Sequence, residues 1–96
     1  MVNSVETERY GVIGGTGRPA ICLGMARGNW ISSCTLATNL DEDIKGQTKQ
    51  IFDVFDEHLA AAGSDRSKIL FAQIWLKRIS DYDGLNAVWN EWIHPD

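Results

Sequence analysis

The densest run of reactive side chains is Ser32-Ser33-Cys34-Thr35. Three hydroxyls and a thiol in four residues offer nucleophiles and hydrogen-bonding groups to a polar substrate. The run sits in Trp30–Ala37, whose β-branched and aromatic content reads as a strand. Alternation then places Ser33 and Thr35 on one face and Cys34 on the other. Hydroxyls so placed either line a pocket or satisfy local backbone groups. A nucleophile triad would need a histidine and a carboxylate converging on one hydroxyl, and the spacing supplies neither. His58 and His94 stand apart without a His-x-x-x-His or Glu-x-x-His pattern. They read as ordinary surface or interface histidines, and no metal site is expected. Cys22 and Cys34 are the two cysteines; they read as reduced, half-buried thiols on neighbouring strands. Gly14-Gly15-Thr16-Gly17 could cradle a phosphate only if a helix followed. Pro19 and a strand-like run follow instead, so the glycines read as a turn and no cofactor is expected. Trp30, Trp75, Trp89 and Trp92 read as core or interface anchors.

These residues need a scaffold. Glu6–Ile13 reads as a first strand ending in the glycine turn, and Pro19–Ala26 as a second. The second and third strands close a hairpin through Arg27-Gly28-Asn29. The period then changes. Thr38, Asn39 and Asp41 offer N-cap oxygens, and Asp41, Glu42 and Asp43 would place negative charge in a first helical turn. Ile44, Thr48, Ile51, Phe52, Phe55, Leu59 and Ala62 step by three and four, with Gly63 as the stop. Ile69–Ile79 is apolar nearly throughout and reads as a strand buried on both faces or at a subunit contact. Ser80 or Asp81 would cap a second helix carrying Tyr82, Leu85, Val88, Trp89 and Trp92 inward. The order is β-β-β-α-β-α, an α+β fold with two helices on one face of the sheet. Its bare second face and exposed edges call for neighbouring chains or further strands.

A chain of 96 residues is one domain. Its 44% hydrophobic content excludes a disordered chain. No apolar run approaches the ~20 residues of a membrane span. The opening MVNSVETERY lacks the apolar core of a signal peptide, so a cytoplasmic protein is expected. With a net charge of −4, a nucleic-acid backbone is not the expected partner.

Five stretches together resemble the Rid family (reactive intermediate deaminases, YjgF-like, also labelled endoribonuclease L-PSP). They are Asp43–Ile51 (DIKGQTKQI), Ala61–Ser64 with Lys68–Leu70, Ile74–Leu76, and Asp81–Trp89 (DYDGLNAVW). The likeness is dense over residues 28–93 and weak before. It implies a chorismate-mutase-like sheet, a homotrimer with pockets between subunits, and no cofactor. It also implies hydrolysis of reactive enamines and imines to 2-keto acids and ammonia. Other members carry ribonuclease or translation-inhibitor labels, and a non-catalytic trimer that binds a small molecule or protein is the alternative.

The resemblance implies a substrate-binding set of Ser33, Cys34, Thr35, Tyr82 and Asn86, with the catalytic residues unassigned. Cys34-Thr35-Leu36 stands where the family carries Ser-Gly-Gln, and Ile21 where the deaminases place a pocket tyrosine. The deaminases' carboxylate-binding arginine and acidic residue fall on two strands after the second helix, beyond Asp96. The reading is therefore a single Rid-like domain over 1–96, incomplete at its C-terminus.

Overall fold

The computed structural model describes residues 6–95. Three antiparallel strands, β1 (Glu8–Ile13), β2 (Ile21–Arg27) and β3 (Trp30–Ser33), form a meander in the order β1-β2-β3. Arg27 pairs with Trp30 across a two-residue turn. Gly28 takes φ +57° there, a value an L side chain resists. Helix α1 (Ile44–Ala61) lies on one face of the sheet, and α2 (Tyr82–Trp92) packs against α1. Close approach of the sheet to α1 needs Gly24, since a Cβ there would sit 2.5 Å from His58 Nδ1.

Both ends of α1 are closed by side-chain and backbone bonds. Asp43 is the N-cap, its Oδ1 accepting from Gly46 N at 2.8 Å. The helix therefore starts later than the cap oxygens of Thr38, Asn39 and Asp41 suggested, and no acid lies in its first turn. Those residues belong to a loop held down by two glutamines of α1. Gln50 Oε1 accepts from Thr38 N at 3.1 Å and Asn39 N at 3.0 Å, and its Nε2 donates to Asn39 O at 3.1 Å. Gln47 Nε2 donates to Glu42 O at 2.8 Å and Leu40 O at 3.3 Å. At the other end Gly63 N donates to Ala60 O and Ser64 N to Leu59 O, the paired bonds of a Schellman stop.

Between the helices Phe52, Val88 and Trp92 form the buried cluster. Phe52 and Trp92 stack with centroids 4.3 Å apart. Trp92 Nε1 donates to Asp56 Oδ2 at 3.1 Å, and Asp56 Oδ1 pairs with Arg66 Nε at 3.2 Å. Arg66 Nη1 then donates to Trp92 O at 2.8 Å, which closes the ring of contacts. A buried indole N–H thus keeps a charged partner rather than standing unsatisfied.

The expected strand over Ile69–Ile79 is not formed. Ile69 (φ −71°, ψ 126°) and Arg78 (φ −131°, ψ 131°) have extended backbone. No ladder pairs the segment with a strand among the described residues. Leu70 is 94% exposed and Trp75 84%. The segment is apolar in composition, but extended backbone becomes a strand only when a neighbour accepts and donates its hydrogen bonds. β3 also stops at Ser33 rather than Ala37, with Cys34 N giving a last bond to Leu23 O at 2.7 Å. A 3-10 turn (Ile79–Asp81) precedes α2, whose N-cap Asp81 makes no side-chain cap bond. Asp96, the end of the expected domain, lies outside the described residues.

Candidate functional site

Register sorts the sheet into two faces, because cross-strand partners share a side and successive residues alternate. Tyr10 pairs with Gly24, and Gly24 with Ser33. All three meet His58 of α1, so this is the inner face. Ser33 Oγ lies 2.6 Å from His58 Nδ1. The Tyr10 ring stacks on the imidazole at 5.6 Å, tilted by 26°. The Tyr10 hydroxyl donates to Glu8 Oε2 at 3.0 Å. Burial, then the hydrogen bond and negative charge of Glu8, hold the Tyr10 phenol above its ordinary pKa.

His58 was read as an ordinary surface or interface histidine, yet it is only 6% exposed. The signal was available: 51, 55, 58 and 62 continue the helix's apolar stepping, and His58 occupies the third of these positions. Chemically, serine and histidine at this distance have the spacing of a nucleophile and its base. Among the described residues no carboxylate pairs with His58. The contact therefore acts as a polar latch between sheet and helix.

The five residues expected to bind substrate fall in two places. Ser33 faces α1 and is engaged by His58. Cys34, one residue on, is exposed, its thiol free. Cys22 is half-buried and also free. Thr35 Oγ1 donates to Leu36 O at 3.3 Å. Tyr82 and Asn86 lie elsewhere, in an open cleft of about 260 Å³ lined also by Ala72, Ile74, Leu76, Leu85 and Trp89. No hydrogen bond joins the two groups among the described residues, and the cleft of Tyr82 and Asn86 does not include Ser33, Cys34 or Thr35. The glycine run is a loop between β1 and β2, with Gly15 N donating to Arg18 O at 3.2 Å. No cluster of three or more His, Cys, Asp or Glu side chains suited to a metal ion occurs among the described residues. Nor is any described helix long and apolar enough to cross a membrane.

Comparison with known proteins gives a consistent result. The family model Endoribonuclease L-PSP matches residues 26–96. A RutC family protein from Haemophilus ducreyi is 36% identical over 59 residues, covering 62% of this chain and 50% of the relative. One from Haemophilus influenzae is 41% identical over 54 residues, covering 56% and 47%. The chain spans about half the length of the curated relatives it matches. Among solved structures, an uncharacterized protein from Pseudomonas aeruginosa superposes with a TM-score of 0.80 at 34% identity, over 94% of this chain and 75% of that one. A YjgF family member from Neisseria meningitidis gives 0.77 at 26% identity, over 95% and 72%.

Proposed function

This chain belongs to the endoribonuclease L-PSP family, the Rid or YjgF-like proteins, and from that premise we propose that it deaminates reactive 2-imino acids. The substrates are small enamines and imines, and the products are 2-keto acids and ammonia. Water adds to the imine carbon and forms a C–O bond. The nitrogen gains protons, and the C–N bond breaks with ammonia leaving. The carbon keeps its oxidation state, so the reaction needs no redox partner.

The observation that carries the reading is the open end of β3. Cys34 stands exposed on the sheet face opposite α1, where no helix among the described residues covers it. The cleft of Tyr82 and Asn86 is equally open. On this reading each group gives one wall of a site and a neighbouring copy the other. A homotrimer of single Rid-like domains in the cytoplasm would supply the missing walls from neighbouring copies. The exposed side chains of Leu70, Phe71 and Trp75 suit the same contact. The family's ribonuclease label finds less support, because a chain of net charge −4 repels a phosphate backbone.

The test is imine hydrolysis. An amino-acid dehydratase releases 2-aminoacrylate or 2-iminobutanoate in situ, and semicarbazide competes for the imine. Faster keto-acid formation and less semicarbazone with this chain present are expected. A rate equal to buffer, from a preparation of confirmed trimeric mass, would remove the deaminase reading.

A further inference from the structure

Two parts of the fold have backbone hydrogen bonds left to make. The first is residues 70–77. Ile69 and Arg78 beside them are extended, and Ala72, Ile74 and Leu76 all line the cleft against α2, the period of two of a strand. Residues 70–77 make no backbone hydrogen bond among the described residues. The second is the outer edge of β3, which pairs with β2 alone among the described strands. Cys34 N bonds Leu23 O, and bonded residues alternate along an antiparallel ladder. Ile31 and Ser33 therefore point their N–H and C=O groups away from β2. An open edge and an unpaired strand are complementary, since each supplies what the other lacks.

The side chains decide the register. Ser33 faces α1, so Trp30, Ser32 and Cys34 face the other side. On residues 70–77 the side turned from α2 carries Phe71, Gln73 and Trp75. Parallel addition to β3 sets Trp30 beside Phe71, Ser32 beside Gln73 and Cys34 beside Trp75. That gives an aromatic pair, a hydroxyl–amide pair and a sulfur–indole contact. An antiparallel addition with Trp75 beside Trp30 would instead bring Arg78 against Arg27. In the parallel arrangement Lys68 comes toward Arg27, but it carries Asp65 with it at 4.0 Å. Two-fold pairing of 70–77 with itself fits less well, because setting Phe71 against Trp75 sets Lys68 against Arg78 at both ends. Trp30 is 68% exposed, Phe71 81% and Trp75 84%. Together they offer roughly 400–500 Å² at one contact, well short of the ~1,200 Å² at which stable interfaces begin. A ring, in which each copy makes two such contacts, suits that shortfall better than an isolated pair.

We propose that residues 70–77 of one copy add in parallel to the free edge of β3 in the next, so that the sheet runs from chain to chain. The contact is head-to-tail, so the copies close into a ring, as the proposed trimer requires. The end of β3 then adjoins Ile74 and Leu76, which line the neighbour's cleft of Tyr82 and Asn86. This rests on the trimeric reading and names the strands that join the copies.

The test reads backbone protection and mass together. Where copies assemble, hydrogen exchange followed by NMR should slow about tenfold or more at the amides of Gln73, Trp75, Ile31 and Ser33. The amides of Ala72, Ile74 and Leu76 point to the other edge and should stay fast. Phe71→Lys, at an exposed position, should weaken assembly about tenfold or more. Val12→Lys on β1, at the far edge of the sheet, should keep the wild-type mass. In Cys22→Ser/Trp75→Cys the new thiol sits about 4.8 Å, Cα to Cα, from Cys34 of the next copy, within disulfide reach. Mild oxidation should link these copies head to tail, and Cys22→Ser/Gln73→Cys should stay largely unlinked. Linking that is equal in the two variants overturns the proposal, as does a two-fold dimer. A trimeric mass with fast exchange at Gln73 and Trp75 overturns it and keeps the trimer. A monomer at every concentration overturns both. A protected ring without imine hydrolysis would remove the deaminase reading and keep the strand addition.

Discussion

Gly24→Ala tests the packing of the inner face most directly. A methyl group there would lie 2.5 Å from His58 Nδ1 and 3.0 Å from Cε1. The imidazole has little room to retreat, being 6% exposed, stacked on Tyr10 and bonded to Ser33. Two effects oppose each other. Alanine in a strand removes the entropic penalty of glycine, about 0.5–1 kcal/mol in favour of the variant. Overpacking a closed site costs about 1–3 kcal/mol. If the ring swings aside instead, the Ser33 contact is lost, about 0.5–1.5 kcal/mol, and the stack goes with it. The balance is a net loss of about 1–2 kcal/mol, or roughly 4–16 °C in Tm for a domain of this size. Urea unfolding of both proteins at one protomer concentration measures it. The double variant Gly24→Ala/His58→Ala should lose less than the sum of the singles, because the second change removes the clash. Gly24→Ala as stable as wild type, or strictly additive losses, would refute the claim that His58 sets the distance between sheet and helix.

Other perturbations have equally definite outcomes. Gln50→Ala should release the loop before α1, speeding amide exchange at Thr38 and Asn39 while the α2 amides keep their protection. Phe52→Ala empties the centre of the aromatic cluster and should cost about 3–5 kcal/mol in urea unfolding. Asp65 has its pKa lowered first by the side-chain and backbone hydrogen bonds from Ser67, with Lys68 assisting. A depressed folded-state pKa gives stability that is present above the unfolded value of 3.8 and lost as pH falls through the folded one. Asp65→Asn should therefore flatten the Tm-versus-pH curve on its acid side, below about pH 4, and leave it parallel to wild type above. Cys34, exposed, should react with iodoacetamide faster than half-buried Cys22, as peptide mass spectrometry would show.

The helices were legible because their signals are local. The apolar stepping from Ile44 to Ala62 and the stop at Gly63 are written within one segment. So is the Gly28 turn. The segment after α1 misled because apolar composition reports a preference for burial and says nothing of a hydrogen-bonding neighbour. Leu70 and Trp75 satisfy the first condition and lack the second. His58 was missed for a different reason: it was read by residue type instead of by its place in the helical step. Alternation separated Ser33 from Cys34, but which of the two meets the helix depends on how the sheet sits on α1. That choice is made by Gly24, whose missing side chain carries no pattern along the chain.

Gln47 and Gln50 sit in the stretch that makes this chain recognisable, and both are spent on carbonyls and amides of the loop ahead of α1. What they encode is a joint in the framework, indifferent to whatever molecule meets the far side of the sheet. Kinship traced through those glutamines therefore speaks of inherited architecture. Chemistry is written in other letters and can drift while the joint stays fixed. Two proteins can share every hinge of this scaffold and still part company over what they recognise.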